Sequence, residues 1–189
     1  MEKLETVIDR ARSRLIANPI DTTHDIEHHR NVAENCQKII DEERLNVNSE
    51  NIIIAAWWHD VETQQGATGL LQKEMQTLGF GQEDIKSVSD MVRTHTFGGK
   101  LKTVEAQVLF DADKMEYFNP ERMRRALEDA KNGLLPTTIL DRHYFEWLER
   151  YKEILELFNF ETSKRIAFQN LPSTLNEIKK IGLFLKGEK

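Results

Sequence analysis

Apolar residues recur at helical spacing along almost the whole chain, and this pattern constrains the fold more than any other feature of the sequence. The first segment shows the pattern on a single helical face, formed by Leu4, Val7, Ile8, Ala11 and Leu15. The alternation of apolar and polar residues that is typical of half-buried β-strands is nowhere sustained. We therefore predict an all-α protein.

The length of the chain favours one domain, because 189 residues exceed the usual domain size of roughly 150 residues only slightly. No repeat, low-complexity tract or linker rich in Ser, Gly and Pro divides the sequence. We expect residues 1–189 to form a single multi-helix domain.

Capping and turn residues predict where helices begin and end. Side chains able to cap a helix N-terminus precede periodic segments near residues 22 and 49, so helices should start there. The pair Gly98-Gly99 predicts a loop after a helix over about Gln82–Thr96. The next helix should begin near Thr103.

In the last third of the chain, Pro120 and Pro136 are suited to the first turns of helices. Residues from about Thr137 to Leu185 form a long amphipathic segment, which predicts helix. Its N-terminal part carries the aromatic and apolar anchors Tyr144, Phe145, Trp147, Leu148 and Tyr151.

Composition excludes several classes of protein. The single cysteine, Cys36, cannot form an intrachain disulfide or a Cys-based metal cluster, and it fits a reducing, cytoplasmic location. The first residues lack the apolar segment of a secretory signal, and the longest apolar run, Ile52–Trp58, is far shorter than the about 20 residues of a membrane span. A formal charge of −6 opposes binding to long nucleic acids or anionic membranes. Small phosphorylated molecules remain candidate partners.

Histidines near the start of the second periodic segment lie on its apolar face. His24 and His28 are four residues apart, and the same spacing continues to Val32 and Cys36. His28 should therefore point toward the core, either as a hydrogen-bonded core residue or as a metal ligand. His29 lies off this face, and we expect it to be solvated.

Two further stretches attach acidic residues to apolar helices. His59 and Asp60 follow the apolar run, and an aspartate at a helix C-terminus is disfavoured by the helix dipole unless a cation lies nearby. Asp111 and Asp113 follow an apolar approach, where burying a carboxylate is costly unless it is paired or binds metal. An ordinary polar helix end for the first stretch, and local ion pairs with Lys114 for the second, are the alternatives.

The order of these stretches resembles the HD-domain phosphohydrolase superfamily, most closely its small bacterial-type members. The matching residues are His24-Asp25-Ile26-Glu27-His28 through Val32, then His59-Asp60, then Asp111-Ala112-Asp113-Lys114. His95, in Thr-His-Thr-Phe, also lies where related members carry a His-Ser/Thr-Phe element. One departure is Asn31, because several relatives have Arg immediately before the Val, whereas this chain has Arg30 one position earlier. A phosphate-binding role for Arg30 is therefore in doubt.

The resemblance implies a helical HD core over about residues 20–120, followed by a C-terminal helical extension over about 120–189. It also implies a bound divalent metal, with the number of ions left open, and a structural partner role for Asp111 near it. The implied metal ligands are His28, His59, Asp60 and Asp113. This mixture of nitrogen and oxygen donors suits Mn, Mg, Ni, Co, Zn or Fe.

The implied reaction is hydrolysis of a small phosphorylated compound, with a nucleotide as one candidate, by water that the metal activates. The candidate catalytic residues are Asp60, His95, Lys114 and Glu62. Lys114 would meet the substrate phosphate unless it is an ordinary surface lysine. His95 would bind phosphate, assist proton transfer or hold a second ion, and Glu62 would serve as a general base or a second-ion ligand.

Two other functions stay open from the sequence. One is an HD-type di-iron oxygenase, in which Glu62 and His95 add ligands for a second ion. The other is a metal-binding or nucleotide-binding module without turnover, whose Tyr144, Phe145 and Trp147 cover the site or form a homodimer face, unless they simply pack in the core. Loops near residues 63–69 and 97–103, together with the C-terminal third, would set specificity.

Overall fold

The computed structural model describes residues 2–18, 21, 23–62 and 67–187, and within these ranges its regular structure is entirely helical. The prediction of an all-α protein is therefore confirmed. A short 3-10 helix (Glu116–Phe118) follows the sixth α-helix. The α-helices of the described ranges are α1 (Glu2–Ala17), α2 (Ile26–Glu42), α3 (Ser49–Trp58), α4 (Gly69–Thr77), α5 (Gln82–Thr94), α6 (Val104–Met115), α7 (Pro120–Lys131), α8 (Thr137–Leu157) and α9 (Glu161–Leu185).

Side-chain caps mark the starts of four α-helices in the described ranges, namely α2, α3, α6 and α7. Asn48 caps α3, and the Thr103 hydroxyl accepts a hydrogen bond from the Ala106 amide at the start of α6. The helix start predicted near residue 22 is wrong, because α2 begins only after Asp25, whose carboxylate accepts from the His28 amide. Residue 22 itself lies outside the described residues.

The predicted helical segment over 137–185 is two helices rather than one. The chain leaves helical geometry at Phe158, where ψ is 133°. The buried Asp111 accepts hydrogen bonds from the backbone amides of Asn159 and Phe160 at 2.9–3.0 Å, which holds these amides outside a helix. Pro120 opens α7 as predicted, and Pro136 immediately precedes α8.

The core is centred on α2, which packs against α3 and α6. Its largest cluster of buried residues draws on α1 to α6 and also on Ile154, Phe158 and Ala167 from the C-terminal part. A second cluster lies between α7, α8 and α9 around Trp147. Among the described helices, none is long and apolar enough to cross a bilayer.

Candidate metal centre

Three helices of the first core cluster bring the four predicted ligands together. His28 lies in the first turn of α2, on the face that carries the buried Val32 and Cys36. His59 and Asp60 follow the last residue of α3, and Asp113 lies in the last turn of α6. Because α2 packs between α3 and α6, residues far apart in sequence meet at one point.

The donor atoms of these residues lie within a few ångströms of one another. The Nε2 atoms of His28 and His59 are 3.1 Å apart. Asp60 Oδ2 lies 3.1 Å from His59 Nε2 and 3.9 Å from His28 Nε2. Asp113 Oδ1 completes the set at 3.6 Å from His28 Nε2 and 3.8 Å from His59 Nε2.

These separations fit a divalent cation. Metal bonds of about 2.0–2.2 Å to imidazole and carboxylate place neighbouring donors roughly 3–4 Å apart. The tightest group is His28, His59 and Asp60, whose donor atoms all lie within 4.8 Å of one another. Asp113 adds a second carboxylate, and the resulting donor set of two imidazoles and two carboxylates is one that Mn, Fe, Co, Ni and Zn accept.

Hydrogen bonds to the backbone orient the second nitrogen of two histidines. His59 Nδ1 lies 2.8 Å from the Ala56 carbonyl, and His95 Nδ1 lies 2.6 Å from the Val92 carbonyl. Both residues cap the ends of helices, where carbonyl groups lack helical partners. When Nδ1 donates its proton to the carbonyl, Nε2 keeps its lone pair for a metal or a substrate.

The buried histidines and carboxylates of the centre change one another's pKa values. Burial lowers the pKa of His28 well below its ordinary value, so this imidazole is neutral. Burial also acts to lower the pKa of His59, but the charge and hydrogen bond of Asp60, the charge of Asp113 and the Ala56 carbonyl together raise it to about 9. A proton on His59 and a cation at the centre would therefore compete for the same nitrogen.

Lys114 lies beside the proposed ligand Asp113 and is buried like it. Its Nζ donates to Asp113 Oδ2 at 2.6 Å and lies 4.5 Å from the centre of the Phe97 ring. Burial acts to raise the pKa of Asp113, but the charges of Lys114, His59 and His95 together lower it to about 2. The surface alternative for Lys114 is wrong, because the residue is only 6% exposed.

The other two catalytic candidates lie in different surroundings. His95 Nε2 lies 3.6 Å from Asp60 Oδ1. It therefore borders the ligand cluster, which consists of the four proposed ligands His28, His59, Asp60 and Asp113. Glu62, by contrast, accepts hydrogen bonds from the amides of Leu70 and Leu71 at 3.1 and 3.4 Å. Its carboxylate therefore caps the N-terminus of α4 in place of a residue at the cap position.

The ligand cluster opens into a cleft of about 370 Å³. Three cationic side chains line it, namely Lys114, Arg122 and Arg150. Arg122 and Arg150 come from α7 and α8 and belong to no motif, so nothing in their local sequence distinguishes them from the other basic residues. A larger groove of about 610 Å³ between α5 and α6 includes none of the four proposed ligands in its lining.

Two neighbouring residues of α2 have surroundings unlike those of His28. His29 is fully buried, so the prediction that it is solvated is wrong: α3 covers the start of α2 and places Trp57 and His59 against the imidazole. Arg30 is exposed and lies 3.8 Å from the carboxylates of Glu27 and Glu34. This arrangement directs the guanidinium of Arg30 to surface partners.

A second group of polar residues borders the cleft. His24 Nδ1 lies 3.0 Å from Asp21 Oδ1, and His143 Nε2 lies 3.5 Å from Asp21 Oδ2. The hydroxyl of Thr23 stands among them, 2.7–3.2 Å from Asp21, His24 and His143. The nearby Arg122 guanidinium donates to the Thr23 carbonyl at 3.2 Å. This group is thus held together by hydrogen bonds, with a hydroxyl in its middle and a cation at its side.

The aromatic residues of α8 do not line this cleft. Trp147 is buried in the second core cluster, Tyr144 packs against that cluster, and Phe145 is half exposed. Of the two predicted specificity loops, 97–103 contributes Phe97 to the cleft. In the other loop, residues 63–66 lie outside the described part of the chain.

The fold is shared with solved structures of bacterial proteins. A Lactobacillus plantarum protein matches with a TM-score of 0.74 and 17% identity over 99% of this chain and 98% of its own. A Bacillus thuringiensis protein described as an HD-superfamily hydrolase matches with a TM-score of 0.67 and 20% identity over 99% and 98% of the two chains. The chain therefore shares the fold of these proteins.

A third solved structure with this arrangement of helices is Bacillus subtilis YpgQ in complex with ADP, with a TM-score of 0.69, 20% identity and coverage of 95% and 93%. No protein-family model and no curated protein matches the sequence. At 17–20% identity, the similarity to these structures shows the arrangement of the helices but does not show the reaction. The chemistry must therefore be argued from the site itself.

Proposed function

We propose that this protein is a divalent-metal-dependent phosphohydrolase that acts on a small phosphorylated compound. The observation that carries the proposal is that the ligand cluster, formed by His28, His59, Asp60 and Asp113, adjoins a cleft that Asp60 and Asp113 line together with cationic side chains. A phosphate ester brings negative charge and needs activated water. The cations and the donor cluster meet these two needs in one place.

The proposed role of each residue follows from its position in the cleft. When bound, a divalent ion supplies Lewis-acid polarisation of a phosphoryl oxygen and lowers the pKa of water. Lys114 is fixed by Asp113 and points its ammonium group into the cleft, where it would hold a phosphoryl oxygen. Arg122 and Arg150 would bind the more distant phosphate or the leaving group. His95, whose Nδ1 is tied to a carbonyl, would accept or donate a proton at Nε2.

A nucleotide is the substrate that we favour. Three cations suit a chain of more than one phosphate better than a single phosphate group. The neighbour from Bacillus subtilis, solved in complex with ADP, supports a nucleoside phosphate for this cleft as well.

A single ion is favoured over the two ions of an oxygenase. A second ion beside Asp60 would need ligands from His95 and Glu62, and the Glu62 carboxylate is engaged by the amides of α4. We therefore expect about one ion per chain after reconstitution, without oxygen uptake.

The test is to strip the protein with a chelator, reload it separately with Mn²⁺, Co²⁺, Ni²⁺, Mg²⁺ and Zn²⁺, and measure the release of phosphate and pyrophosphate. The panel contains nucleoside mono-, di- and triphosphates and simple phosphomonoesters. We expect metal-dependent release that Asp113→Asn reduces by more than the about 10–100-fold typical of removing an outer partner of a metal site. The exposed Asp141→Asn on α8 is the matched control and should leave the rate unchanged.

Two results would contradict the proposal. Metal-loaded protein that binds nucleotide but releases no product would indicate a binding module. Release that Asp113→Asn leaves intact would show that hydrolysis occurs elsewhere or comes from a contaminant.

A further inference from the structure

The Nδ1 atom of His28 has different surroundings from the Nδ1 atoms of His59 and His95. His59 and His95 each have a backbone carbonyl beside Nδ1. His28 Nδ1 is buried and has no hydrogen-bond partner among the described residues. The cause is its position, because the first turn of a helix leaves amide groups rather than carbonyls without partners. The Asp25 carbonyl, at the same helix end, already accepts from the His29 amide and from His29 Nδ1.

A buried carboxylate faces this nitrogen. Glu116 Oε2 lies 3.6 Å from His28 Nδ1, on the side of the ring opposite the ligand cluster. Glu116 begins the 3-10 helix that follows α6 and is only 2% exposed. Its side chain reaches His28 from the same chain segment that supplies the ligand Asp113.

Two amides hold this carboxylate in place. Asn119 Nδ2 donates to Glu116 Oε1 at 3.0 Å, and Asn31 Nδ2 donates to Glu116 Oε2 at 3.4 Å. A carboxylate accepts about four hydrogen bonds, so capacity remains on Oε2 for the imidazole N–H. Neither amide carries a charge that would pair with the carboxylate, and a buried carboxylate without such a partner is costly.

We propose that Glu116 is a positioning residue, which accepts the Nδ1 proton of His28 and thereby fixes the Nε2 lone pair of His28 on the metal. The inference rests on the metal-binding part of the proposed function. A bound cation draws electron density from the imidazole and makes its N–H a better donor, so the 3.6 Å contact should shorten to a hydrogen bond when the metal binds. The buried carboxylate then gains a hydrogen-bond donor for Oε2.

The first test measures metal affinity rather than activity. Calorimetric titration with Mn²⁺ should show binding to Glu116→Gln that is about 10–100-fold weaker than binding to the wild type, because outer carboxylates typically contribute that much to metal affinity. Glu121→Gln is the matched control: it removes the same charge from an exposed residue of α7 and should bind like the wild type. Asn119→Ala, which frees one oxygen of Glu116, should weaken binding less.

A second test reads the hydrogen bond directly. In Co²⁺-loaded wild type, proton NMR should show strongly shifted, slowly exchanging Nδ1 protons for His28 and His59. Glu116→Gln should move the His28 signal or speed its exchange with solvent, and should leave the His59 signal in place. A merely structural role would lower the thermal stability of the metal-free protein without this selective change. The wild-type spectrum also decides the case if Glu116→Gln fails to fold.

The outcomes separate this inference from the proposed function. If the wild type binds metal and hydrolyses phosphate, and Glu116→Gln binds Mn²⁺ within about threefold of it, the positioning role is overturned alone. A spectrum in which His28 binds metal through Nδ1 would also overturn it alone. If the wild type binds none of the metals, both proposals fall.

Discussion

Two aspartates of α6, two positions apart, have opposite surroundings. Asp113 faces the imidazoles of His28 and His59, whereas Asp111 is turned toward the start of α9. Asp111 accepts three hydrogen bonds from the amides of Asn159 and Phe160 and one from the Asn159 side chain. Burial raises the pKa of this carboxyl, although these donors stabilise its charge. Asp111 therefore joins two helices, and Asp113 remains free to act as the proposed metal ligand.

We predict that Asp111→Asn lowers the free energy of unfolding by about 1–3 kcal/mol, because the new amide would turn a donor toward backbone donors. It should leave the affinity for Mn²⁺ nearly unchanged. Asp113→Asn should instead weaken Mn²⁺ binding strongly, and it should also lower stability because it leaves the buried Lys114 without its carboxylate partner. Urea unfolding and calorimetry on both variants check the pair, and weakened metal binding in Asp111→Asn would show that the two roles are misassigned.

The sequence predicts a site residue when the residues next to it in the chain form a recognisable motif, and it fails when the role depends on tertiary packing. His28, His59, Asp60 and Asp113 stand in recognisable local contexts, so a short sequence motif is enough to indicate them. The role of Arg150 depends on where α8 lies relative to α6, which no local pattern records. Likewise, the capping role of Glu62 depends on the return of the chain at α4.

At the scale of helices, local chemistry predicts starts better than ends or breaks. The hydroxyl of Thr103 marks the start of α6 because a cap acts on the amides immediately after it. The break between α8 and α9 is imposed by Asp111, about 50 residues away in sequence. A pattern confined to residues 137–185 therefore reads as continuous helix, although it is not.

The contact between α8 and α9 depends on a glycine. A Cβ atom at Gly182 would lie 2.9 Å from the Tyr144 hydroxyl and 3.1 Å from its ring. Gly182→Ala should gain up to about 1 kcal/mol of helix propensity, but overpacking costs about 1–3 kcal/mol. We predict a net loss of stability in urea unfolding. The loss should become a gain in a Tyr144→Leu background, and exposed Gly69→Ala should be neutral or stabilising. If Gly182→Ala has a free energy of unfolding equal to or above that of the wild type, Tyr144 moves aside without cost and the prediction is wrong.

At the scale of the whole molecule, the N-terminal and C-terminal parts meet around the cleft. The segment at Asp21 contacts His143 of α8, and Arg122 of α7 donates to the Thr23 carbonyl. Composition and periodicity predict a single helical domain but not these contacts, because they join positions about 100 residues apart. The cleft thus depends on packing across the entire chain.

The pair of Asp21 and His143 should make this packing depend on pH. Burial acts to lower the pKa of His143, but the carboxylates of Asp21 and Glu146, 3.5 and 3.9 Å from its ring nitrogens, raise it above 6.5, against the opposing charge of Arg122. Burial acts to raise the pKa of Asp21, but hydrogen bonds from His143 and His24 lower it, so Asp21 stays ionised above pH 5. A histidine with a raised pKa in the folded state contributes stability that is complete below pH 6.5 and disappears as pH rises through that pKa.

We therefore predict that His143→Gln lowers the free energy of unfolding by about 2 kcal/mol at pH 6, the value typical of a hydrogen bond to a charged group. The difference from the wild type should shrink steadily toward pH 9. Urea unfolding at pH 6, 7.5 and 9 measures it, and subtraction of the variant removes the contribution of other histidines. Glu146→Gln should reproduce only a small part of the effect, because that carboxylate is 44% exposed. A difference that stays constant or grows with pH would show that His143 contributes through packing rather than through its charge, so the two parts of the chain would be joined independently of pH.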